Sequence, residues 1–161
     1  MRRIADGWLD PLRSLLDPYG LTLQYVTSGA ALPGSYWGAP EAGLVGNTLF
    51  VQPDTPLHSA LNEAAHFVCM DATRRIALER DAGGDHDEEN AVCLLQILWA
   101  DVLAGVGRDQ LMADMDAWGY TFRLGSAARW FAEEAGDARS WLVRRGILDQ
   151  DQKLTGRCAQ A

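Results

Sequence analysis

The segment His58-Ser59-Ala60-Leu61-Asn62-Glu63-Ala64-Ala65-His66 gathers two imidazoles, an amide and a carboxylate within nine residues. On an α-helix, Asn62 and His66 stand four residues apart, about 6 Å along the axis and on nearly the same face. Two side chains so placed can converge on one small ion. Glu63 is turned by about 100° from Asn62 and stands beside such an ion rather than on it. A general base needs that position to take a proton from a water the ion activates. His58 extends the ridge through residues 62 and 66. Eight residues span about 12 Å, however, too far for His58 and His66 to share an ion with bonds of ~2.1 Å. His58 is therefore expected to support or cap the helix start.

The run Asn62-Glu63-Ala64-Ala65-His66 resembles the H-E-x-x-H helix of the zincin metallopeptidases, with Asn62 where the first histidine stands; Glu63 and His66 match residue by residue. In the gluzincin branch of that family, the third ligand is a glutamate in the first turn of a following helix. Asp87-Glu88-Glu89-Asn90-Ala91 opens such a helix here, after a Gly83-Gly84 break. Strand, motif helix and acid-bearing helix also follow in the zincin order. The resemblance covers Leu44 to Trp99, and the rest of the chain is similar to small bacterial proteins that carry such a helix. It implies a zinc or other divalent ion, weakly held or absent, with His66, Glu89 and either Asn62 or His86 as ligands. Glu63 would be the catalytic base and the substrate a peptide or small amide. An extended substrate would lie against an edge strand, for which Asn47–Gln52 is the candidate. Asparagine offers only a neutral amide oxygen, a poor zinc ligand beside imidazole. Reduced or lost hydrolase activity therefore belongs to the expectation.

The two acids at the second helix start differ in their faces. Glu88 shares a stripe with Val92, Leu95 and Trp99, the most apolar one; Glu89 shares one with Cys93, Gln96 and Ala100. The second stripe is the better wall for an ion, with Gln96 available to hydrogen-bond a ligand, so Glu89 is preferred. His86, within Gly-Gly-Asp-His-Asp, is the histidine best placed to substitute for the missing ligand. Cys69 and Cys93 fall near the same faces and read as small core residues. Tyr120 or Arg123 would stabilise an oxyanion if the chain folds back over the site. A carboxylate-bridged di-iron centre needs a second E-x-x-H, which the chain lacks. The contrasting alternative is a non-catalytic interaction protein that keeps the scaffold.

These residues need elements to position them. Leu57, Leu61, Ala64 and Val68 form an apolar helical stripe, and the spacing predicts a helix from Pro56 to about Leu78, with Asp54 or Thr55 as cap and Pro56 in the first turn. A second helix is predicted from Glu88 to Leu103, capped by Asp85 or Asp87 and buried on most sides. Leu21–Val26 and Asn47–Gln52 read as strands, and residues 28–46 as turns. Residues 2–16 carry a weaker helical pattern, and Asp109–Trp118, Ser126–Ala135 and Asp137–Arg145 are shorter helices.

Fourteen Lys and Arg against twenty-two Asp and Glu leave a net charge of −8. That balance argues against nucleic acid or an anionic membrane as partner, since both require a basic face. No apolar run reaches the ~18 residues a spanning helix needs. Asp6, Gly7 and Asp10 interrupt the N-terminus where a signal peptide would be apolar. Three cysteines with no C-x-x-C pair read as reduced thiols of a cytoplasmic protein. The expected fold is one α+β domain over residues 1–150, mostly helical, with a small N-terminal sheet on the motif helix. A polar tail, residues 151–161, is expected to fray.

Overall fold

The computed structural model describes residues 1–27, 29–35, 38, 40–77 and 83–160. Among them the chain is a mostly helical α+β domain. Helix α1 (Leu9–Leu16) leads into β1 (Thr22–Tyr25), β2 (Gly43–Val45) and β3 (Thr48–Val51); α2 (Leu57–Cys69), α3 (Ala72–Ala77), α4 (His86–Ala100), α5 (Gly107–Trp118), α6 (Ala127–Glu133) and α7 (Gly136–Arg144) follow. None of these helices is long and apolar enough to cross a membrane.

The sheet has the order β1-β3-β2, with β3 parallel to β1 and antiparallel to β2. Leu23, Leu49 and Leu44 stand in register across it and are all buried. Strand β2 falls inside the stretch read from sequence as turns. Its hairpin to β3 turns on Gly46-Asn47, with Gly46 at φ 56°, a conformation that costs glycine little. The 47–52 segment is thus the central strand, not an edge, which corrects the expectation that a substrate strand lies against it. Nor is the outer side of β2 open. Leu44 N–H donates to Gly34 O at 3.4 Å, and Gly43 lies so close to residues 33–35 that an added Cβ would sit 1.9 Å from Pro33 O.

Helix α2 is buried almost all round: eleven of its thirteen residues are buried, and only Asn62 and Glu63 keep partial exposure. Its first turn is capped by main chain rather than by Asp54 or Thr55. Leu57 N–H donates to Arg2 O at 2.9 Å, while Pro56 occupies the cap position itself. The predicted long helix ends at Met70, whose ψ of 150° leaves the helical region. Asp71 Oδ1 accepts from Arg74 N–H at 2.9 Å and restarts the chain as α3, as a capping aspartate does; Leu78 lies outside the described residues. Asp85 caps α4 by accepting Glu88 N–H at 2.9 Å.

Residues 154–160 of the tail are tied to the body of the domain. Thr155 N–H donates to Ile147 O, Ala159 N–H to Val68 O and Gln160 N–H to Arg145 O, each within 3.1 Å, and Leu154 packs on the core. Its polar sequence conceals backbone bonds that run back to α2 and α7.

Replacing Gly43 by alanine should cost about 1–3 kcal/mol, the range for overpacking a closed site, because backbone atoms rather than a movable side chain block the new methyl. Gly136→Ala, at a helical position with open space around it, should leave stability unchanged or raise it. Thermal unfolding of the two variants beside the parent checks both, and equal melting points for Gly43→Ala and the parent would contradict the packing.

Candidate functional site

Helices α2 and α4 pack antiparallel, so ascending numbers on one meet descending numbers on the other: Asn62 bonds Gln96, and one turn further along α2 His66 faces Glu89. His66 Nε2 lies 3.7 Å from Glu89 Oε2, with the imidazole largely buried and the carboxylate half exposed. This separation is longer than a hydrogen bond. Two donors bound at ~2.1 Å to one tetrahedral ion stand about 3.4 Å apart. The pair therefore sits close to the spacing of two ligands of one cation. Zinc hydrolases complete such a pair with a third imidazole or carboxylate. Asn62, one turn earlier on α2, could add only a neutral amide, and among the described residues no group of three or more His, Cys, Asp or Glu could hold a metal ion. His66 and Glu89 are thus two strong donors at ligand spacing, short of the full zincin set.

The two glutamates at the start of α4 separate as their stripes suggest. Glu88 is buried and receives both guanidinium nitrogens of Arg74 at 2.8 Å, a bidentate pair that ties α4 to α3. Glu89 faces α2. His86 is not brought to the site: it is the first residue of α4, exposed, and its Nε2 lies 3.2 Å from Asn90 Nδ2 on its own helix. Cys93 stands one turn beyond Glu89 on the same stripe. Burial, aided by the charge of Glu89, pushes its thiol up to about 12, so it stays protonated near neutral pH.

Beneath Asn62 lies a buried polar cluster. Gln96 is fully buried. Its Nε2 donates to His58 O at 2.7 Å and to Tyr120 Oη at 3.3 Å, and its Oε1 accepts from Asn62 Nδ2 at 3.2 Å. Tyr120 also lies 3.1 Å from His58 Nδ1. Burial drives the Tyr120 hydroxyl far above its usual value; the nearby charges of Glu41 and Glu63 push the same way. Tyr120 is therefore neutral, and its hydroxyl pairs with His58 Nδ1, the tautomer deciding which of the two donates; among the described residues His58 Nε2 is buried with no hydrogen-bond partner. Tyr120 is brought to the buried cluster of His58 and Gln96, whereas Arg123 pairs with Glu134 at the surface. Glu41 and Ser59 carry no sequence signal for a role here. They form a further layer: Ser59 Oγ accepts from Ala42 N–H and donates to Glu41, which also receives Trp118 Nε1.

Compared with family models, with curated proteins and with solved structures, the chain matches none.

Burial between Trp118 and Tyr120 lowers His58 from 6.5 to about 4, with the Asp114 carboxylate opposing in part. The fold thus favours the neutral ring. Its stabilising effect is complete above pH 6.5, is lost as pH falls toward 4, and is worth about 3 kcal/mol. Denaturant unfolding from pH 7 to pH 4 should show this slope in the parent but not in His58→Gln, which does not titrate. Identical slopes in the two proteins would contradict it.

Proposed function

We propose that α2 and α4 form a zincin-like hydrolase site of weakened ligand strength, in which His66 and Glu89 hold a divalent cation and Asn62 is the third, poor donor. The observation that supports this reading is the 3.7 Å separation of His66 Nε2 and Glu89 Oε2, contributed by two different helices. A divalent cation bound there would polarise a substrate carbonyl and the attacking water. Glu63, the residue after Asn62 on α2 and partly exposed, is the base that would take the water's proton. Asn62 and Glu63 are the two points where α2 reaches solvent, so a substrate would approach there. With β3 central and the outer side of β2 taken by residues 33–35, the favoured substrate is a small amide rather than an extended peptide pairing with β2 or β3. Three unpaired thiols suit a reducing compartment such as the cytoplasm.

Metal content after purification without chelator, and zinc titration against a competing indicator, test the proposal. The parent should bind zinc weakly, Asn62→His should tighten binding at least about tenfold, which is 1.4 kcal/mol, and Glu89→Ala should abolish it. If Asn62→His leaves zinc affinity unchanged, the site is not a metal centre and the alternative of a non-catalytic interaction scaffold takes its place.

A further inference from the structure

The hydrogen bonds around Gln96 decide which end of the Asn62 carboxamide points where. A backbone carbonyl can only accept. The Gln96 atom 2.7 Å from His58 O must therefore be its amide nitrogen. The same nitrogen serves Tyr120 Oη. Gln96 consequently turns its oxygen toward Asn62, and the Asn62 atom 3.2 Å away must be the NH2 group that donates to it. His58 and Gln96 lie on the N-terminal side of Asn62 along α2; His66 and Glu89 lie on the C-terminal side. We infer that Gln96 is a positioning residue that holds the Asn62 carboxamide with Oδ1 toward His66 and Glu89, so that the site presents three electron-pair donors to a cation. The inference rests on the metal-site reading above.

The alternative orientation has the opposite chemistry. The two ends of a carboxamide are nearly the same size, and rotation about the terminal torsion exchanges them readily. With NH2 turned toward His66, two partly positive hydrogens would face the cation position, and an anion would be the better guest. The buried acceptor at His58 O removes that choice. Gln96 thereby favours a cation over an anion, and manganese(II), which accepts carboxylate and carbonyl donors readily, is a suitable probe of that preference. The role resembles that of residues that orient metal ligands from behind, whose loss typically costs about 10–100-fold in affinity.

A double-mutant cycle isolates this role. Manganese(II) binding is measured by calorimetry on the parent, Gln96→Met, Asn62→Asp and the double variant, with thermal melts to confirm folding. Gln96→Met should weaken binding about tenfold beside Asn62. It should change binding less than about twofold beside the aspartate, whose two oxygens make orientation irrelevant. Equal losses in both backgrounds, or no loss in either, would overturn the positioning role while leaving the metal site standing. Absence of manganese and zinc binding in all four proteins, Asn62→Asp included, would instead remove the metal site and the positioning role with it. Should Gln96→Met not fold, proton exchange of the Asn62 side-chain amide in the parent gives the answer by NMR. Slow exchange with a cross-peak to Gln96 is expected, and exchange at the rate of an exposed asparagine would overturn the inference.

Discussion

A primary amide with no access to water must find partners inside the protein, because an unpaired buried polar group costs several kilocalories. The Gln96 side chain finds three: a carbonyl in the first turn of α2, the Tyr120 hydroxyl and the Asn62 amide. These bonds set the rotation of α4 against α2. A shift of one residue would turn the helix by about 100° and break all three. Glu89 lies seven residues before Gln96, two turns back on the same stripe, and the rotation that satisfies Gln96 also aims Glu89 at His66. Glu88, one residue away, is turned to Arg74 instead. Helix packing thus assigns the two neighbouring acids to different tasks, one holding α3 in place and one facing the candidate site.

The electrostatic setting is consistent with a guest of positive charge. Asp85, Asp87, Glu88 and Glu89 crowd the first turn of α4 and its cap, where the helix dipole favours acids; Arg74 makes a bidentate pair with Glu88. The Cys93 thiol and the Tyr120 phenol are both held protonated by burial. His58 is neutral under ordinary conditions and committed to Tyr120, which agrees with the spacing argument that excludes it from sharing an ion with His66. The facing helices thus bring together one imidazole and one half-exposed carboxylate, with the Asn62 amide bonded to Gln96 one turn earlier and Glu63 next to it at the solvent boundary.

Much of this was legible in the sequence, because the signals were local. Asp85 before an acidic first turn announced α4, and the helical repeat alone distinguished Glu89 from Glu88. Where tertiary partners replaced local ones, the sequence misled. The start of α2 uses a carbonyl from Arg2, fifty-five residues distant, in place of its neighbouring Asp54 or Thr55. The capping aspartate at position 71 was readable but was overridden by the apolar repeat running past it. Strand β2 was hidden by glycines whose purpose is close approach: Gly43 is there because the 33–35 main chain touches it. Gly46-Asn47 did carry a hairpin signal. The order of the strands, which makes β3 central, depends on a pairing with β1 that no local pattern encodes. Likewise the contact of Tyr120 with His58 and Gln96 joins residues 62 and 24 positions apart.

The most direct measurement is an anomalous diffraction map of crystals equilibrated with manganese(II), collected on both sides of the metal's absorption edge. A peak within bonding distance of both His66 Nε2 and the Glu89 carboxylate, with the Asn62 oxygen as its next protein neighbour, is the expected result. Peaks confined to surface carboxylates elsewhere, with His66 and Glu89 unchanged, would contradict the assignment of a cation to the interface of these two helices.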